Sequence, residues 1–155
     1  MHIVLGNDHA AVELKRHVAA HLAELGHTVT DLGTNSAEST DYPIYGAAAA
    51  RKVVAGEADL GIVICGSGAG ISMSANKVPG ARCVLASEPY TAKMGRAHNN
   101  ANLLAMGARV IGPDLATMIV DVFLTTPWEG GERHSRRVGE IAALDERQPI
   151  PEPPA

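Results

Sequence analysis

Short apolar runs alternate along this chain with longer segments of helical spacing. His2–Gly6 (HIVLG) is a continuous apolar run ending at a glycine, the pattern of a buried strand. From Ala10 to Leu25, the apolar positions Val12, Leu14, Val18, Leu22 and Leu25 are separated by charged residues at helical intervals, and Gly26 supplies a C-terminal stop. Further strands are expected over Thr28–Leu32, Leu60–Cys65 and Ala81–Ala86. A fifth strand region covers Leu103–Ala105 and Ala108–Ile111, with Gly107 inside it. Helices are expected over Tyr42–Ala55, Ile71–Asn76, Glu88–Arg96, Leu115–Leu124 and Arg133–Arg147, and Asn35–Thr40 is a polar loop.

This order predicts an α/β fold: an open five-stranded parallel sheet with helices on both faces, a Rossmann-like three-layer αβα sandwich. Leu60–Cys65 is the most apolar strand and is expected at the centre. One domain is expected over residues 1–147, followed by a Pro-rich tail at 148–155. In such sheets ligands bind at the carboxyl ends of the strands, near the switch in strand order. Asp8 and His9 follow the first strand and Cys65–Gly70 follow the third, so these two segments are expected to converge.

Composition narrows the picture. Hydrophobic residues make up 46 % and aromatics 3 %, so the core is built from Ala, Val, Ile and Leu. A formal net charge of −4 leaves no overall basic field and argues against nucleic acid as a partner. Cys65 and Cys83 lie in apolar runs, form no disulfide framework and fit a reducing compartment. The opening MHIVLGNDHA is too short an apolar run for a signal peptide, and no stretch approaches a membrane span. A soluble, cytoplasmic protein without membrane contact is expected.

The strongest chemical feature is CGSGAG, Cys65 to Gly70. Its glycines let successive backbone N–H groups face one point ahead of a helix, which suits a phosphate or a transient oxyanion; a plain tight turn is the alternative. No Lys follows the last glycine, and the glycine spacing differs from a dinucleotide fingerprint. Cys65 is either a small core residue or a thiolate at a helix N-terminus, able to serve as nucleophile or base. Cys83, mid-strand with no glycine loop, reads as core. His98, in RAHNNAN, is a surface residue or a general acid/base. His17 and His21 share a helix face but lack a third metal ligand, and solvent exposure is expected for them. Arg133, Arg136 and Arg137 in ERHSRRV form either a solvated face or a guanidinium clamp on a phosphate.

Taken together, these stretches resemble the type B ribose-5-phosphate isomerases and their relatives, the galactose-6-phosphate and allose-6-phosphate isomerases. The likeness runs from Ile3 to about Arg147 and rests on GNDHA, GTNSAESTDYP, ICGSGAGISMSANKVPG, SEPYTAKMGRAHNNANLLAMGARVIG and IVDVFL followed by ERHSRRV. It implies an aldose–ketose isomerase that interconverts D-ribose 5-phosphate and D-ribulose 5-phosphate through an enediolate, in the pentose phosphate pathway, with no cofactor and no metal.

The resemblance also implies roles. Cys65 is the base that moves a proton between C2 and C1, and Ser67 stands where the family places a hydroxyl, often Thr. The backbone of Gly66, Gly68, Ala69 and Gly70 is the anion hole. His98 is the ring-opening acid/base, with Asp8 as helper. Asn99 binds substrate, Tyr42 walls the pocket, and His9, Arg109, Arg133 and Arg137 hold the phosphate. The family forms dimers with sites shared between subunits, and some members form tetramers. One branch lacks the cysteine and uses a carboxylate; Ile71 and Ser72 supply none here, so the chain is similar to the cysteine branch. The alternatives are an isomerase of a six-carbon sugar phosphate or a rare free aldose, a non-catalytic sugar-phosphate or nucleotide binding module, and an acyl-transfer enzyme using Cys65 as nucleophile.

Overall fold

The computed structural model describes residues 1–152. Its strands are β1 (His2–Asn7), β2 (Thr28–Asp31), β3 (Leu60–Cys65), β4 (Cys83–Leu85) and β5 (Leu103–Gly107). Its helices are α1 (Val12–Glu24), α2 (Tyr42–Val54), α3 (Ala69–Ala75), α4 (Pro89–Asn99), α5 (Pro113–Thr125) and α6 (Gly131–Asp145), with a 3-10 turn at His9–Ala11 before α1. The strands form one five-stranded sheet in the order β2-β1-β3-β5-β4, and every pairing is parallel. No described helix is long and apolar enough to cross a membrane.

β3 is central and every residue of it is buried. Ile62, Val63 and Ile64 lose all solvent contact, each stabilising the fold by roughly 1.5–3 kcal/mol. Their alternation sorts the two faces. Ile62 and Ile64 join Ile3, Leu5, Leu104 and Met106 beneath α1, α4 and α5, while Val63 and Cys65 join Val4, Leu103 and Ala105 beneath α2 and α3. The crossover after β1 runs to β2 on one side of the sheet, while the crossover after β3 runs the opposite way, to β4. The crevice of the sheet therefore opens at the carboxyl ends of β1 and β3.

Several boundaries differ from the sequence reading. α3 starts at Ala69 rather than Ile71, because Gly68 turns the chain at φ +79° and frees the next residue to be helical. α4 runs on through His98 to Asn99, since the stop is Asn100 in the left-handed conformation and no glycine marks it. His98 and Asn99 thus sit in a helix rather than on the loop after it. β5 ends at Gly107; the carbonyl of Gly107 accepts from both Val110 N and Ile111 N, which curls Ala108–Ile111 into a turn instead of a strand. β4 shrinks to Cys83–Leu85, so Cys83 opens an edge strand and is only half-buried at the rim of the core. α5 starts at Pro113, earlier than expected, and α6 spans Gly131–Asp145 rather than Arg133–Arg147. Of the tail at 148–155, residues 148–152 carry no regular structure and the rest lie outside the described residues.

Candidate active site

A cleft of ≈ 430 Å³ opens at the switch between β1 and β3, lined by Asp8, His9, Tyr42, Cys65, Gly66, Ser67, Gly70 and Arg109 among others. The convergence of the first and third strand ends is therefore realised. Each lining residue is placed by a local device.

Cys65 is the last residue of β3, and its side chain is 3 % exposed. The N–H of Gly68 donates to Cys65 Sγ at 3.1 Å, the kind of contact a thiolate accepts. The loop reaches this position only because Gly68 takes φ +79°. A Cβ there would lie 2.5 Å from Leu85 and 2.8 Å from the Met106 backbone. Ser67 is exposed, and its Oγ accepts from Ala69 N at 3.3 Å. The first N–H groups of a helix lack intrahelical partners. Ala69 spends its own on Ser67, whereas Gly70 is at the cleft wall. The Tyr42 ring lies over Gly70, where an added Cβ would meet the ring at 2.5 Å.

Asp8 is buried and caps the turn after β1, its Oδ1 accepting from Ala10 N at 3.0 Å. His9 Nδ1 is held by the Thr40 main chain, 3.1 Å from its N–H and 3.3 Å from its carbonyl oxygen, which fixes the ring at the cleft. The Arg109 guanidinium lies beside the backbone of Gly66; a Cβ added there would be 3.5 Å from its Nη1. Arg109 is brought over the loop by two main-chain bonds, Ala108 N to Cys65 O and Arg109 N to Gly66 O, each 2.9 Å. A guanidinium and an imidazole thus line the same cleft as the sulfur and the glycine loop.

The remaining predicted residues are elsewhere in the chain. α4 leaves the carboxyl edge after β4 and returns to the amino edge before β5, so its last turn, with His98 and Asn99, is at the opposite end of the sheet from Cys65. Asn99 faces a separate hollow of ≈ 250 Å³ between β4, α4 and α6. Arg133 and Arg137 begin α6 beside His98 and are exposed. Arg136 is paired with Glu140 at 3.8 Å, the solvated-face reading for that residue.

Other readings are corrected or refined. His21 is half-buried rather than free, its Nε2 lying 2.6 Å from Asp121 Oδ1, where it ties α1 to α5; His17 is exposed. Burial pushes the Cys83 thiol up to about 12, in keeping with an inert packing role. Among the described residues, His98, Glu129 and His134 bring ligand atoms within 4.8 Å of one another. The two imidazoles are stacked at 13°, so their in-plane lone pairs do not meet on one ion, and Arg133 already occupies His134 Nε2. The geometry is that of a ring stack with a carboxylate oxygen 3.6 Å from His98 Nε2.

Sequence reasoning overlooked the supports of the site. Lys15 is 1 % exposed and donates to Asp31 Oδ2 (2.6 Å), Asn35 Oδ1 (2.7 Å) and Thr34 O (3.1 Å). Buried Asn7 adds a bond from Nδ2 to the same Thr34 carbonyl at 3.1 Å. Together they fix the loop that carries Thr40 to His9. Glu129 and His134 were equally invisible, since nothing in their spacing marks them.

The family model described as Ribose/Galactose Isomerase matches residues 3–141 of this chain. Ribose-5-phosphate isomerase B of Escherichia coli K12 is 51 % identical over 146 residues, 94 % of this chain and 97 % of that protein. The solved ribose-5-phosphate isomerase B of Clostridium thermocellum superposes with a TM-score of 0.93 at 49 % identity, covering 95 % of this chain and 99 % of that one. The Mycoplasma genitalium ribose-5-phosphate isomerase B, solved with bound ribulose-5-phosphate, gives a TM-score of 0.90 at 38 % identity, with 95 % and 97 % covered. With the strand order, the glycine loop at β3 and nearly full-length identity all in agreement, this chain belongs to the ribose/galactose isomerase family.

Proposed function

We infer that this chain interconverts D-ribose 5-phosphate and D-ribulose 5-phosphate, an aldose–ketose isomerisation of pentose phosphate metabolism. The observation that carries this reading is the cleft itself: the Cys65 sulfur faces the Gly68 amide, with Arg109 and His9 beside it, in a chain 51 % identical to ribose-5-phosphate isomerase B of E. coli.

Each step has a group suited to it. The aldose arrives as a closed furanose. His98 of a second copy protonates the ring oxygen as Asp8 takes the proton of the C1 hydroxyl, which frees the C1 aldehyde. The Cys65 thiolate then removes the proton from C2. The electron pair shifts into the C1–C2 bond, and the negative charge on O1 is held by loop N–H groups such as that of Gly70. Ser67 exchanges a proton between the two sugar oxygens. The Cys65 thiol returns its proton to C1, leaving a carbonyl at C2. Atoms and electrons balance within the sugar. Phosphate held by Arg109 and His9, and by Arg133 and Arg137 of the second copy, positions the reacting carbons.

The separation of Cys65 and His98 within one chain supports a site shared between two copies. Large apolar side chains on the elements around the cleft are exposed, among them Tyr42, Ile44, Met73, Leu85, Tyr90 and Val110, and a second copy would cover them. A homodimer in the cytoplasm, free or paired into tetramers, is the assembly this reading supports.

The test is isomerisation of ribose 5-phosphate by the purified protein, compared with allose 6-phosphate by kcat/KM. Preference for the pentose with abolition by Cys65→Ala is expected. Undiminished turnover by Cys65→Ala would rule out the base.

A further inference from the structure

We infer that His134 is a positioning residue for His98, holding its imidazole ready for ring opening; this rests on the reading of His98 as the ring-opening acid/base. The two rings are stacked with centroids 4.4 Å apart and planes 13° apart. His134 is the one buried residue of α6, so this stack is also where α6 is pinned to α4.

The surroundings hold both rings. The Trp128 ring meets His134 edge-on at 6.3 Å and 69°. Glu129 N donates to Ala97 O at 3.2 Å, fastening the preceding loop to the last turn of α4. Gly130 and Gly131 then adopt successive positive φ values, +62° and +76°, which turn the chain so that His134 returns over His98. Glu129 Oε2 stands 3.6 Å from His98 Nε2, close enough to orient it and stabilise it when protonated.

Charge keeps the platform neutral. The groups facing His134 are His98 from α4, Glu129 from the loop, and Arg133 and Arg137 from its own helix. Burial first, then the neighbouring His98 and Arg133, hold the His134 imidazole below its ordinary range, and Glu129 opposes them only in part. Arg133 Nη2 lies 3.2 Å from His134 Nε2; a guanidinium can only donate, so Nε2 is an acceptor and the ring is uncharged. A neutral ring stacks on His98 whether His98 is protonated or not. A charged one would repel the imidazolium that ring opening requires.

The two directions of the reaction separate positioning from folding. Ribose 5-phosphate enters as a closed furanose. Ribulose 5-phosphate has its C5 oxygen phosphorylated, so it has no five-membered ring to form and enters open. His134→Ala is expected to lower kcat for ribose 5-phosphate roughly 10–100-fold, while exchange of the C1 hydrogen of ribulose 5-phosphate with deuterated solvent, followed by NMR, stays within about twofold. His134→Phe keeps a flat ring in the stack and is expected to recover most of the lost turnover. Parallel loss of both rates in His134→Ala, or in His134→Phe if the alanine variant does not fold, overturns the inference, as does an unchanged kcat in the alanine variant. Failure of the wild-type protein to catalyse exchange at all would instead overturn the isomerase reading.

Discussion

Cys65 and His98 stand at opposite ends of one sheet. Cys65 is paired with Gly107 at the carboxyl end of β3, whereas His98 lies in the last turn of α4, ahead of β5, which begins at Leu103, paired with Gly61. The strand between those two pairings spans roughly 13 Å. On the proposed reading, in which both act on one sugar, the two side chains would come from different copies of the chain.

The glycine loop depends on one backbone conformation. Gly68→Ala puts a side chain at φ +79° and drives its Cβ to 2.5 Å from Leu85 and 2.8 Å from the Met106 backbone. The left-handed strain alone costs about 1–3 kcal/mol, and relieving the clash moves the amide that faces Cys65. Thermal unfolding should shift down, and kcat should fall by at least about tenfold, because the sulfur loses the amide it accepts from and the loop amides behind it are displaced.

The two thiols should differ in reactivity. Cys83 remains protonated through neutral pH because burial raises it to about 12. Cys65 accepts an N–H and lines the cleft. With iodoacetamide at pH 8, loss of activity should track carboxamidomethylation of the Cys65 peptide, with the Cys83 peptide lagging in mass spectra. Faster labelling of Cys83 contradicts this.

Lys15 links stability to the site. Lys15→Met removes a buried cation from Asp31, Asn35 and Thr34 and leaves the Asp31 carboxylate, about one-third exposed, without its partner. Breaking a buried pair typically costs about 3–5 kcal/mol, and the hydration left to Asp31 favours the low end. The urea midpoint should fall accordingly. KM should rise as well, because the loosened loop carries the Thr40 amide that orients His9.

His134 predicts a pH dependence of stability. Its folded-state affinity for a proton is below that of the unfolded chain, so the unfolded chain binds more protons as pH drops through about 6.5. This contribution is fully present above that value and is lost on acidification. The urea midpoint of the wild type, at fixed protein concentration, should decline between pH 7.5 and pH 5.5 more steeply than that of His134→Phe. Equal slopes would show that His134 is not held neutral.

Much of the fold was legible in the sequence. β3 was placed to the residue because an unbroken apolar run lies between Asp59 and Gly66. The convergence of Asp8 with Cys65 followed from both lying at strand ends. The end of α4 was misjudged because Asn100 adopts a conformation usually given to glycine, and sequence alone does not show when Asn will do so. The turn at Ala108–Ile111 looked like strand because Val110 and Ile111 are β-formers, yet its bonds run to Gly107 rather than along a ladder. The contacts of Lys15 with Asp31 and of His98 with His134 are tertiary, and no local pattern encodes them.

Mixing two inactive variants tests the shared site most directly. Cys65→Ala and His98→Asn are each refolded alone and then together in equal amounts, and turnover of ribose 5-phosphate is measured. A site that takes its sulfur from one copy and its imidazole from another is rebuilt once in every mixed dimer, so the mixture should recover about one quarter of wild-type activity. Activity no greater than the mean of the two parents, with mixed dimers verified by mass spectrometry, would contradict the account.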